Sequence, residues 1–178
     1  EGKIANYLRR IQGEDGGWPL FRTGDSNLSA SVKGYFALKM IGDAPDAPHM
    51  VRARNRILAL GGARQANVFT RFQLALYGEL PWDAMPVMPV EMILLPRWFP
   101  IHLSKMSYWA RTVIAPLLVL QVLKPRAVNR RGIGVSELFL PPDAPPVPEQ
   151  KSHVKKGWAA FFKSLDMVLK GVDPHWPT

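Results

Sequence analysis

Cysteine is absent from the 178 residues. Disulfides, thiolate metal sites and cysteine nucleophiles go with it, so the fold must rest on packing and hydrogen bonding. Histidine is sparse: His49, His102, His153 and His175 never fall at the spacing of a helical ligand pair, and no metal is expected. No glycine-rich phosphate loop and no serine-elbow motif occurs, which removes the common signatures of nucleotide and acyl-transfer chemistry and gives no reason to expect a cofactor. Acids are in deficit, 14 against 23 Lys and Arg, for a net charge of +9. Charge of that kind speaks to non-specific attraction. It comes without an aromatic RNA-binding sheet motif or a zinc-finger spacing, so nucleic acid is not an expected partner. Alternating runs that would mark a sheet are lacking too. The almost wholly apolar stretch Val113 to Leu123 is too short to span a bilayer and contains Pro116.

What is present is helix after helix with glycine stops. Ile4, Tyr7, Leu8 and Ile11 space the first. "NLSASVKGYFALKMIG" places Leu28, Val32, Tyr35 and Phe36 at helical intervals, with Ser26 and Asn27 as capping candidates and Gly42 as the stop. A third helix runs through "HMVRARNRILALGG", with Val51, Ile57 and Leu58 inward, Arg52 and Arg56 on a solvated face, and Gly61-Gly62 beyond it. The fourth, "QANVFTRFQLALYG", offers Val68, Phe69, Phe72 and Leu76. Five prolines then break "ELPWDAMPVMPVEMILLPRWFP" into turns around a short helical piece at 90–95, where Trp82 and Trp98 should pack and Glu91 is structural. Ser104 to Leu123 reads as a long buried helix. Residues 124–150 read as a proline-rich irregular strap over the surface, and 157–170 as an amphipathic helix with Trp158, Phe161, Phe162, Leu165 and Leu169 on one side and lysines around it. No repeat of fixed period is evident. The pattern predicts one all-α domain over 1–178 without a substantial sheet. The opening Glu1-Gly2-Lys3, with neither a signal-peptide pattern nor an initiator methionine, suggests a piece of a larger protein.

One stretch is more specific. In "IQGEDGGWPLF", Gln12, Gly16 and Trp18 follow the first helix directly. Gly16 and Gly17 suit a helix end and Trp18 a core lid; alternatively, the Gln12 amide bonds backbone groups of a neighbouring helix end while the indole packs beside it. Asp43 and Asp46, in "GDAPDAP", read as helix caps.

The Gln12, Gly16, Trp18 pattern, followed by "VFTRFQLALYGELPW", "MPVEMILLPRWFP", "LSKMSYWARTVIAPLLVL" and "ELFLPP" in order, resembles the class II triterpene cyclases, specifically the squalene-hopene cyclases of Gram-negative bacteria. The resemblance covers nearly the whole chain. It implies a partial α/α barrel (toroid) from a two-domain polypeptide whose other domain carries the Asp-x-Asp-Asp proton donor, a motif missing here. By the resemblance, this chain is the inserted helical domain, inactive alone, and its substrate is squalene or a similar linear triterpene. Trp109 and Phe69 match cavity aromatics, with Ala110 beside Trp109; Met106 and Ile114 match a channel constriction. Aromatic faces stabilise carbocations without acting as bases. On periodicity alone, Trp109 and Phe69 read first as ordinary core aromatics, and only the resemblance turns the reading toward a cavity; Met106, Trp109, Ala110, Val113 and Ile114 share one helical face.

The same resemblance implies monotopic attachment to the cytoplasmic side of a bacterial membrane through the helix 157–170, with packing against the rest of the cyclase as the rival use of that face. Self-association is expected, because a domain parted from its partner exposes a broad apolar surface. Lys33, Asn67 and Gln73 stand where the thermophilic members have glutamate, arginine and tryptophan, so the polar network of those members near final deprotonation or water capture is not carried over. Two other classes remain open: a cyclase of another linear isoprenoid, and a non-catalytic helical module that binds a membrane or partner.

Overall fold

Helix begins at once and is punctuated where the glycines and caps demand. A computed structural model describes residues 1–86, 93–98 and 102–141, with Ser164 and Met167. Five α-helices lie in this part: α1 (Gly2–Ile11), α2 (Leu28–Ile41), α3 (Pro48–Ala59), α4 (Val68–Leu76) and α5 (Tyr108–Leu123). Among the described residues there is no strand, and the single β-bridge joins Pro19 to Ser26. The all-α expectation holds. The chain divides into two compact units, Glu1–Leu80 with Ala127–Lys151, and Pro81–Arg126 with Ser152–Thr178.

In the first unit α2 is central, with α1, α3 and α4 against it. Leu28, Val32, Tyr35, Phe36 and Leu38 are buried around it, and Gly34 is buried as well. Asn27 caps α2 by accepting from the Ala30 N–H, and Gly42 closes it at φ 122°. Of the two candidate caps, only Asn27 serves: the Ser26 hydroxyl donates instead to Asp15. Two buried serines that apolar periodicity passes over turn out to dock neighbouring segments. Ser31 Oγ accepts from the Trp18 N–H at 2.9 Å, and Ser29 Oγ accepts from the Asn67 N–H at 2.8 Å.

Several expectations are corrected. On α3 the buried residues are Met50, Ala53 and Ile57, while Val51 and Leu58 are only half-buried, because Met50, Ala53 and Ile57 repeat every three or four residues along one stripe. Arg56 is not simply solvated: it pairs with Asp15 at 2.9 Å and donates to Ser26 Oγ. Neither Asp43 nor Asp46 caps α3. Its N-cap is Ala47, which makes no side-chain cap bond; Pro48 stands at the helix start, where a missing N–H costs nothing. On α4 Phe72, Leu74 and Ala75 are buried, Val68 and Leu76 half-buried and Phe69 exposed.

The strap also differs from expectation. It is irregular through Pro141 apart from a 3-10 turn at Ser136–Leu138, yet Val135 and Leu138 are completely buried in the first unit. Its proline-rich tail lies outside the described residues, as do residues 90–92 of the expected helical piece at 90–95, Glu91 among them.

In the second unit α5 begins at Tyr108, not Ser104. Ser104 belongs to a 3-10 turn (Leu103–Lys105) whose start is capped by His102 Nδ1, and Ser107 is the α5 N-cap, accepting from the Ala110 N–H at 3.2 Å. Two serines three residues apart compete as caps, and the one preceding the uninterrupted helical stretch is used. Met85 and Leu118 are buried, whereas Trp98 is 77% exposed and Trp82 half-buried. Of the helix expected at 157–170, only Ser164 and Met167 are described; both are helical. Trp158, Phe161, Phe162, Leu165 and Leu169 lie outside the described residues.

Candidate functional site

The Gln12–Trp18 stretch forms a joint between three helices. α1 ends at Ile11, five residues before Gly16, and Gln12 follows in extended conformation, so the glycines belong to the turn rather than to the helix end. The last four carbonyls of α1 have no intrahelical donor. One of them, Leu8 O, accepts from the Trp18 indole Nε1 at 2.9 Å. The indole is 2% exposed and lies on Gly34 of α2, where an added Cβ would come within 2.9 Å of the ring. Gln12 Nε2 donates to Gly16 O at 2.7 Å and to His49 O, in the first turn of α3, at 2.9 Å. Gly16 has φ 89°, and a Cβ there would meet Arg52 O at 2.6 Å. Glycine is therefore required twice at this position, for its dihedral and for the closeness of α3. Gln12, Gly16 and Trp18 thus meet in one turn that touches α1, α2 and α3.

An ion cluster lies beside the joint. Asp43, with 7% side-chain exposure, takes the Arg9 guanidinium of α1 on both carboxylate oxygens and His49 Nε2 of α3 at 2.7 Å. Arg9 above all, and His49 second, hold the Asp43 carboxyl below the usual carboxylate range against the opposing effect of burial. His49 thus serves the joint twice, through its ring to Asp43 and through its carbonyl to Gln12. Sequence reading had no signal for the Arg9 partner, which lies 34 residues from Asp43.

The candidate cavity and channel residues lie in two places. Phe69, at the start of α4 in the first unit, is 50% exposed. In the second unit Trp109 is 77% exposed, and Ala110, Val113 and Ile114 are half-buried along α5. Met106 is corrected: it precedes the Ser107 cap in extended conformation and shares no helical face with them. The expectation of a buried helix also fails within this chain, since only Leu118 of α5 is buried and Trp109, Val119 and Leu123 form an exposed stripe with Thr112 and Pro116 between. Pro116 brings no N–H to the carbonyl of Thr112, yet the helix continues to Leu123.

Of the positions that depart from the thermophilic pattern, Asn67 is the α4 N-cap, accepting from the Thr70 N–H at 2.9 Å; Lys33 is exposed and Gln73 half-buried. Among the described residues no group of three His, Asp or Glu could hold a metal ion. Nor is any described helix long and apolar enough to cross a membrane.

Comparison with known proteins places this geometry. The family model of the squalene-hopene cyclase N-terminal domain matches residues 1–178. A squalene-hopene cyclase of Zymomonas mobilis is 63% identical over 177 residues, covering 99% of this chain and 26% of that protein. One from Bradyrhizobium diazoefficiens is 54% identical over 178 residues, covering 99% of the chain and 27% of its own length, and that of Alicyclobacillus acidocaldarius is 34% identical over 169, covering 95% and 26%. The chain therefore spans about a quarter of the length of these relatives. With a family model matched from end to end, the chain belongs to the squalene-hopene cyclase N-terminal domain family, within the triterpene cyclases.

Proposed function

We propose that this chain is part of an enzyme that converts squalene to hopene or hopanol by carbocationic cyclisation, and that it supplies one wall of the hydrocarbon cavity and its channel. The observation that carries the reading is the family match over residues 1–178, with 63% identity to a squalene-hopene cyclase. The proton donor is expected elsewhere in the polypeptide, and residues 1–178 alone are expected to be inactive.

Within this reading Trp109, Phe69 and Ala110 border the substrate, and Ile114 and Met106 the channel. The exposure of Trp109 on an apolar helix supports the role assigned to it. An indole face stabilises a passing carbocation by its quadrupole and offers no base to quench it. Trp158, Phe161, Phe162, Leu165 and Leu169 are assigned to peripheral attachment on the cytoplasmic side of a bacterial membrane, and a homo-oligomer is the expected assembly. The aromatic and basic composition of that segment supports the assignment.

The test is squalene conversion, followed by gas chromatography, for the full-length polypeptide and its Trp109→Ala variant. Cyclised product from the parent, with a rate loss or altered product ratio in the variant, is expected; an unchanged rate and ratio refutes the assignment of Trp109. A folded parent that makes no triterpene from squalene transfers the reading to another linear isoprenoid.

A further inference from the structure

We propose that residues 127–141 form a latch, a segment that undocks from the helical body of the first unit as a cooperative piece of its own and is locked by Glu137. The segment joins the body through a series of polar anchors. Ala127 N–H donates to Leu76 O at 2.7 Å, and Arg131 donates to Met40 O at 2.9 Å. Lys39 Nζ donates to Gly134 O at 2.6 Å, and Val135 N–H donates to Glu79 Oε2 at 2.7 Å. Glu137 is the convergence point: its Oε1 accepts from Tyr35 Oη at 2.8 Å and pairs with Lys39. Val135 and Leu138 are fully buried, Ile133, Phe139 and Leu140 are half-buried, and the turn at Ser136–Leu138 lies against α3, while between the anchors Val128 is 81% exposed with Arg130 and Arg131 exposed beside it.

These contacts divide the unit into two classes of structure. α1 to α4 hold one another through contacts among themselves, including the Gln12–Trp18 joint, and none of those bonds passes through the latch. The latch closes over sequence separations of 56 to 102 residues at Val135–Glu79, Gly134–Lys39 and Glu137–Tyr35. A segment with few buried apolar side chains, held by long-range polar contacts, opens below the free energy of global unfolding. When it opens, the Tyr35 hydroxyl and the Lys39 ammonium lose Glu137 together. The lock is thus a single side chain with two partners on one helix, a more specific prediction than general looseness. It does not depend on the cyclase assignment.

Hydrogen exchange resolved by peptide, on the full-length polypeptide, tests it with Glu137→Gln and separately Lys39→Met. Exchange across 127–141 is expected to accelerate at least tenfold in each, with α1 amides unchanged, and trypsin cleavage after Arg130 or Arg131 to accelerate in parallel. Equal acceleration in α1 would mean that the segment unfolds only with the whole unit, and no acceleration in either variant would mean that Glu137 locks nothing; either result overturns the proposal. Should one variant fail to fold, the other reports the same lock from the opposite side.

Discussion

Gln12→Glu isolates the chemistry of the joint, because the side chains match in shape while both amide donors disappear. In the native joint Nε2 gives its two hydrogens to Gly16 O and His49 O, at 2.7 and 2.9 Å. At neutral pH the replacement sets a carboxylate oxygen against two carbonyl oxygens. Two lost hydrogen bonds cost about 1–3 kcal/mol net, and the half-buried charge facing acceptors adds roughly 1–2 more, for a total of about 2–5 kcal/mol. Gln12→Leu removes the donors without adding charge and is expected to cost about 1–3 kcal/mol. The introduced carboxyl is destabilised in its ionised form, so its folded pKa lies above its unfolded value. Its deficit is largest above that folded pKa and shrinks as pH falls through it, when one O–H donor returns. Hydrogen exchange of α1 and α3 amides in the full-length polypeptide reads the loss directly, at about tenfold per 1.4 kcal/mol. The expected order at pH 7 is wild type, then Gln12→Leu, then Gln12→Glu, with the two variants converging near pH 4. Equal protection in all three, or a carboxylate variant no worse than leucine at pH 7, would refute the assignment of Gln12 as a double donor.

Other sites give sharper single answers. Gly34→Ala places a methyl 2.9 Å from the Trp18 ring, so the indole must shift and its bond to Leu8 O weaken; a loss of about 1–3 kcal/mol with a changed near-ultraviolet tryptophan signal is expected. Thr70 is 1% exposed and its Oγ1 finds no partner, so Thr70→Val should be neutral or stabilise by about 1 kcal/mol in thermal unfolding, against the destabilisation expected were the hydroxyl bonded. Asp15, Asp43 and Glu137 all have lowered pKa values: Ser26 leads for Asp15 and Arg9 for Asp43, while for Glu137 burial opposes and Lys39 with Tyr35 prevails. Depressed carboxylates contribute stability that is complete above their unfolded pKa, about 4, and is lost as pH falls through their folded values. An acid titration by circular dichroism should therefore be flat from pH 7 to about 5 and fall below it, and Asp43→Asn should flatten the fall.

How much of this was legible depends on the range of the interaction. Asn27 as a cap, Gly42 as a stop and the burial of Leu28, Val32, Tyr35 and Phe36 follow from neighbours within one or two turns, and the sequence carries such signals openly. The Gln12–Trp18 joint was legible as a pattern because the donors and the required glycine sit within seven residues, although which carbonyls they reach was not. Arg9 with Asp43 and the burial of Val135 within the strap depend on partners dozens of residues away, and no periodicity announces them. Met106 was misplaced for a local reason: Ser104 and Ser107 are equally good caps, and three residues of slippage move a side chain off the helix altogether. Trp109 illustrates a different limit. An apolar helix predicts burial, but what covers an indole at 77% exposure is not written in the helix that carries it.

The joint also speaks a language indifferent to its partner's spelling. Gln12 addresses the carbonyls of Gly16 and His49, and Trp18 that of Leu8, all of them main-chain atoms that every residue type supplies. Side chains at Leu8 and His49 can vary without removing these three acceptors, provided that the backbones keep their approach. A seven-residue unit of this kind is portable: it can fasten a helix end to a helix start that comes within reach, and the side-chain conditions set from outside it are few, Gly34 leaving room for the indole and Ser31 taking the Trp18 N–H.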